Sequence, residues 1–276
     1  MAETFSPDGK RALLNLAPLF LLFVPVFWAI FDQTGSAWVL QAESMDRDFM
    51  GITWLESQVQ VVNPVLILTL IPIFTYVIYP LMGVFFEPTP LRKIGIGFVL
   101  TAAAFAVSAI IEQSITDDGP AVAAAIQAEL GDSELNENST LSDTVRAARK
   151  AGWDQERVAP YLSTMPNIGM QFLAYLLLTA AEVLVSIVCL EFAYTQSPPR
   201  IKSFVMAVYL LGVSLGNFAV SGLNFVLDFL KDDQGKTFLD GATYYWFFVG
   251  LMLVTLVVYI VFALRYKGQT YIQGET

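Results

Sequence analysis

Residues Glu182–Ser203 read EVLVSIVCLEFAYTQSPPRIKS. An apolar run nearly long enough for a membrane span is entered by Glu182, carries Glu191 deeper inside, and closes on Pro198, Pro199, Arg200 and Lys202. A carboxylate at the centre of a bilayer costs about 3 kcal/mol on insertion scales, so it normally faces a bundle interior or a polar cavity. On a helix, Glu182, Ser186 and Cys189 share a face and Glu191 falls opposite. The two acids therefore serve different sites. This reading makes the chain a membrane protein whose polar residues in the spans are its candidate functional residues.

Composition supports that class. Of 276 residues, 55% are hydrophobic and 14% charged, a membrane balance rather than a soluble one. The net charge of −10 does not signal a cationic partner, because the acids crowd into one segment. No basic footprint for nucleic acid is present. There is no histidine and one cysteine, which excludes a zinc site, a disulfide within the chain and a Cys–His nucleophile. Cys189 reads as a small packing residue, and nothing in the chain reads as an enzyme's catalytic group.

Hydropathy divides the chain into a polar tail (1–12), a three-span unit (13–111), an acidic connection with short helices (112–166), a second three-span unit (167–266) and a polar tail (267–276). The first span is expected over about 14–40, kinked at Pro18 and Pro25. A signal peptide is the rival reading, but the apolar run is too long for an h-region and no clean small-x-small cleavage site follows it, so a span is expected. Residues 43–57 read as a short polar connection. The second span, about 59–86, carries Pro64, Pro72 and Pro80 and must bend. The third, about 94–111, is rich in small residues that let helices approach closely. Spans over about 167–196, 204–230 and 244–264 follow, the last opening on an aromatic belt at Tyr244, Tyr245 and Trp246. Lys10 and Arg11, Arg92 and Lys93, Arg200 and Lys202, and Arg265 and Lys267 all fall on one side of a six-span chain. The positive-inside rule makes that side cytoplasmic, which places both termini inside and 112–166 outside.

Three stretches carry a resemblance. LEFAYTQSP (Leu190–Pro198) resembles the tenth-helix motif of the proton-dependent oligopeptide transporters, a branch of the major facilitator superfamily. FWAIFDQTGSAWVLQA (Phe27–Ala42) and QVQVVNPVLILTLIPIF (Gln58–Phe74) resemble the seventh and eighth helices of the same family, in the same order and spacing. The resemblance runs from about Leu13 to Tyr266 and covers only the second half of such a transporter. It implies an all-α membrane fold, six spans arranged as two inverted three-helix repeats, forming half of a substrate cavity. The implied activity is proton-coupled uptake of di- and tripeptides with no cofactor, the proton gradient being the driving ion.

The resemblance also implies roles for single residues. Asp32, deep in the first span, becomes the proton-coupling acid, paired with an arginine from the other half; at the outer end of its helix it would instead sit among lipid headgroups. Glu182 becomes the partner of the peptide's free ammonium, a group that needs a counter-charge in a low-dielectric cavity. Asn63 matches an asparagine that accepts from the same ammonium, although an asparagine before proline is equally a helix-break signal. Tyr209, with Ser186 beside the cavity, stands where many members carry a tryptophan lining a side-chain pocket. Thr75 stands where several carry an aspartate, which removes one ion pair. Glu191 reads as a gating or structural contact, and Gln33, Gln58 and Gln60 as helix–helix hydrogen bonds.

Two motifs in the acidic segment are set aside. Asp132, Glu134, Asn136 and Asp143 echo a calcium loop, but Glu137 replaces the required glycine. Asn138 opens a glycosylation sequon that matters only in a secretory pathway, and this histidine-free chain with its small loop is expected in a bacterial inner membrane. The acid-rich first-helix motif of the family and its lysine-bearing fourth helix are absent. Three readings stand: one subunit of a two-chain transporter whose N-terminal six-helix half is a separate partner, a fragment of a split or truncated gene, or a six-span homodimer. The class opposed to a peptide carrier is a membrane scaffold that transports nothing, or a carrier of another small solute.

Overall fold

Six apolar helical spans carry the fold: Gly9–Glu43, Glu56–Phe85, Pro90–Leu130, Ile168–Thr195, Pro199–Phe229 and Ala242–Arg265. The computed structural model describes residues 7–131, 135, 139–231 and 237–267. Every span exceeds the roughly 20 residues needed to cross a bilayer core, and the protein is an all-α integral membrane protein. The third span is central. It packs along its length on the fourth and sixth, while the first packs on the fifth and the second on the fourth. Phe98, Ala104, Phe105 and Ala109 meet Ala174, Leu178 and Ala181 on one side and Phe248, Met252 and Tyr259 on the other. Alternating small and aromatic residues let these helices approach closely without a void.

The second span is held differently. Leu70 and Phe74 bury against Val183 and Leu184 of the fourth span, while Leu68, Tyr76, Val77, Val84 and Phe85 are exposed. Its prolines bend it as the sequence requires. Pro25 and Pro80 have no N–H to give the carbonyl four residues back, and the chain widens into π-helical turns at Leu19–Phe23 and Phe74–Ile78. A third such turn, Val183–Ile187, contains no proline and begins directly after Glu182. The expected helix break at Asn63 does not occur. A 3-10 turn over Glu56–Val61 runs into the α-helix Val62–Ile73, with Pro64 in its first turn.

The first span breaks at Asp32. A 3-10 turn over Asp32–Gly35 ends the helix and Ala37–Glu43 restarts it. A break in lipid frees carbonyl groups that must find donors within the protein. Tyr175 Oη donates to the Thr34 carbonyl at 3.3 Å, Tyr245 Oη to that of Ala37 at 2.9 Å, and Gln171 Nε2 to that of Trp38 at 2.7 Å. Neighbouring spans thus close the account for the broken segment.

Several boundaries differ from the sequence expectation. The first helix begins at Pro7, inside the stretch read as a tail. The third does not end at Ile111 but runs unbroken from Pro90 to Leu130, through Pro120. At 1.5 Å per residue those 41 residues exceed any bilayer core, so the C-terminal end stands outside it. Pro120 lacks an N–H to give the helix, yet AVAAAIQAEL is a strong helix former, and tertiary packing completes it. Ala123 and Ile126 bury against Leu141, Val145, Trp153, Val158 and Leu162 of the short helices Leu141–Lys150 and Gln155–Leu162. The short helices expected in this segment are present, and together they form a small cap with its own core.

The connection over 43–57 is also structured. Strands β1 (Asp48–Phe49) and β2 (Ile52–Thr53) form a hairpin whose turn residues Met50 and Gly51 both have positive φ, 56° and 75°, as a tight type I′ turn requires. Just before it, Arg47 is fully buried, 2.9 Å from Glu56 Oε2. Glu56 also pairs with Arg149, and both arginines donate to Gln155. Burial pushes the Arg47 guanidinium below its ordinary value, and the charge of Glu56 opposes that. Most of the calcium-like residues, Asn138 of the sequon and the C-terminal tail beyond Lys267 lie outside the described residues.

Candidate functional site

Two in-span acids, Asp32 of the first span and Glu182 of the fourth, lie within electrostatic reach of each other. Asn63 Nδ2 donates to Glu182 Oε2 at 2.9 Å and lies 3.1 Å from Thr179 Oγ1. This bond ties the second span to the fourth one residue before the fourth widens into its π-helical turn. Such turns recur at functional sites, because the extra residue re-aims the side chains around it. Asp32 lies at the break of the first span, within electrostatic reach of Glu182. Among the described residues, no lysine or arginine is ion-paired with either acid.

Beside the acids is a buried polar group. The Tyr209 hydroxyl lies next to the Trp28 indole and the Ser186 hydroxyl, and within reach of Cys189 and Glu182. Glu182, Ser186 and Cys189 thus face one neighbour, as helix spacing predicts. Trp28 Nε1 and Ser186 Oγ are buried without a hydrogen-bond partner of normal geometry. Tyr209 itself is buried and packs edge-on to Phe20, their ring centroids 5.7 Å apart. It is a wall residue between the first and fourth spans rather than an open pocket lining.

Glu191 goes elsewhere. It is exposed and acts electrostatically on Tyr79 of the second span, whose ring also carries Lys93 Nζ at 3.7 Å. The two glutamates occupy separate places. Gln33 is buried and accepts from Tyr244 Oη at 3.1 Å, bridging the first and sixth spans. Gln58 and Gln60 do not join helices: Gln58 Oε1 accepts from the Leu55 N–H at 3.0 Å and Gln60 is exposed. Thr75 turns back to the Ile71 carbonyl at 2.9 Å.

Sequence reasoning missed Thr179, Asn217 and Glu112. The Asn217 amide reaches the Asp32 carboxylate from the fifth span. Glu112, in the third span, accepts from Gln41 Nε2 at 2.8 Å. A signal for Asn217 was present, since it directly follows the small-residue motif Gly212-x-x-x-Gly216, a close-packing pattern in membrane helices.

The family model described as PTR2, POT family, matches residues 2–135. That stretch is similar to the POT family. Peptide transporter 3 of Caenorhabditis elegans is 40% identical over 110 residues, which are 40% of this chain and 16% of that protein. Solute carrier family 15 member 2 of Oryctolagus cuniculus is 37% identical over 166 residues, 54% of this chain and 22% of that protein. The crystal structure of an auto-inhibited POT family peptide transporter is similar over 99% of this chain and 46% of its own, with TM-score 0.66 and 28% identity. The chain thus spans about half of that solved POT transporter and less than a quarter of either curated relative. The POT resemblance of the three sequence stretches stands, and so does the six-span fold.

Proposed function

We propose that this chain is the C-terminal half of a proton-coupled symporter of short peptides and forms one wall of its central cavity. The observation that carries the reading is the Glu182–Asn63 pair at 2.9 Å, with Asp32 in electrostatic reach at the break of the first span. A carboxylate braced by an amide is a suitable partner for a peptide's ammonium. A second acid on a different span leaves a separate group to titrate. The names of the C. elegans relative and of the POT crystal structure support peptides as the substrate class. In this reading Asn63 and Ser186 line the substrate side with Tyr209 in the wall behind them, Asp32 couples to the proton, and Glu191 acts with Tyr79 and Lys93 at the opposite end. No cofactor is called for. The partner is a six-helix N-terminal half, and the termini face the cytoplasm, in a bacterial inner membrane.

The test pairs two variants in vesicles that also contain the N-terminal half. Glu182→Gln keeps shape and loses charge. A charge-assisted hydrogen bond is worth roughly 1.5–3 kcal/mol, so peptides with a free amino end should bind about tenfold or more weakly, while peptides with a blocked amino end lose little. Asp32→Asn should spare exchange of peptide between equal pools and abolish uphill uptake. Equal weakening of free and blocked peptides by Glu182→Gln would remove the ammonium assignment.

A further inference from the structure

The first and fifth spans touch backbone to backbone. A Cβ added at Gly212 would lie 2.0 Å from the Phe20 carbonyl oxygen, and one at Gly216 would lie 2.3 Å from that of Pro25 and 3.0 Å from the Ala29 nitrogen. Real Cβ atoms do not approach that closely, so only glycine permits the crossing. The contact runs up the first span toward its break, and the residue after Gly216 is Asn217. Its amide meets the Asp32 carboxylate, while Asn217 Oδ1 is buried with no hydrogen-bond partner. A buried carbonyl oxygen left unpaired is costly unless some state of the protein supplies a donor.

A carboxamide carries a donor and an acceptor on one planar group. An ionised Asp32 can only accept, which suits Asn217 Nδ2. A protonated Asp32 has an O–H to give, which suits Asn217 Oδ1 after the amide turns over. We infer that Asn217, fixed by the Gly212–Gly216 crossing, is the positioning residue for Asp32 and holds it in both protonation states. The inference deepens the proposed coupling role of Asp32 and rests on it. Glu182 of the fourth span is the titratable group in electrostatic reach of Asp32. Tyr244 of the sixth is occupied, its hydroxyl lying 3.1 Å from Gln33 Oε1 and 2.9 Å from Asn224 Oδ1.

Infrared difference spectra of the full chain in lipid, taken between acid and neutral pH, isolate the Asp32 bands as those lost in Asp32→Asn. Asn217→Leu and Asn217→Ala remove donor and acceptor together and should displace both the acid and the carboxylate band. Asn217→Ser, whose hydroxyl donates and accepts, should return them toward the native positions. A residue that only packs would leave the bands in place. In vesicles with the N-terminal half, the ratio of proton-driven uptake to exchange should fall about tenfold in Asn217→Leu and recover in Asn217→Ser. Bands unmoved by both Leu and Ala would overturn the inference while leaving the transport reading intact. Displaced bands in a chain whose native form moves no peptide would uphold Asn217 as the partner of Asp32 and sink the transport reading instead.

Discussion

The cap and the membrane interior treat charge in opposite ways. In the cap a cation is buried completely and matched: Arg47 lies 2.9 Å from Glu56, which Arg149 also holds. Arg146 lies 2.7 Å from Glu43, and Arg157 2.8 Å from Glu129. Inside the spans, three acids are each met by a carboxamide: Asp32 by Asn217, Glu112 by Gln41 and Glu182 by Asn63. An ion pair cancels charge and fixes position. An amide fixes position and leaves the charge to be met by something else. The cap is therefore a closed structural unit, while Asp32, Glu112 and Glu182 are placed, and among the described residues no lysine or arginine is ion-paired with them.

Stability measurements in detergent can break that comparison. The largest effect is expected from Glu56→Leu, which strands a fully buried Arg47 without its anion. Removing one partner of a buried pair typically costs about 3–5 kcal/mol, and the loss should show as a lower chemical-denaturation midpoint that begins in the cap. A cost below about 1 kcal/mol would mean that the pair is solvated and the cap is not closed. Next comes Gly212→Ala. One methyl group forced against the Phe20 carbonyl should cost about 1–3 kcal/mol and separate the first and fifth spans. Gly222→Ala, where nothing lies within 4 Å of the added carbon, serves as the silent control. The smallest effect is expected from Glu182→Gln, whose amide oxygen still accepts from Asn63 without a buried charge. Its stability should change by less than about 1 kcal/mol even as peptide binding falls. A loss as large as that of Glu56→Leu would make Glu182 a structural residue.

Much of the architecture was legible in the chain. Runs of apolar residues place six spans, and the prolines at 25, 72 and 80 mark where they bend. Periodicity put Glu182 and Glu191 on opposite faces, but both contacts fall on the second span, Glu182 near Asn63 and Glu191 near Tyr79, with the π-helical turn Val183–Ile187 between the two acids. The errors have physical causes. The third span was expected to end at about 111 because the apolar run gives way to polar residues from Glu112. The helix persists because Ala123 and Ile126 bury in the cap core, a gain that no local window contains. Arg47 was passed over because a lone arginine in a polar connection is normally solvated, and its burial depends on Glu56 and Gln155, the latter 108 residues away. Asn217 was passed over because an amide's importance lies in what it faces.

By itself, then, the sequence determined that this chain lies in a membrane, how many times it crosses, and which few polar residues go in with it. Those outcomes follow from transfer energies and helix period, which are local properties. Only the tertiary structure decided which amide holds which acid, that the first and fifth spans meet at two glycines, and that the third helix continues past Ile111 and packs with the short helices around a core of their own. Each of these depends on a contact between residues far apart in the chain, where the gain comes from the partner's position and not from the residue's own preference.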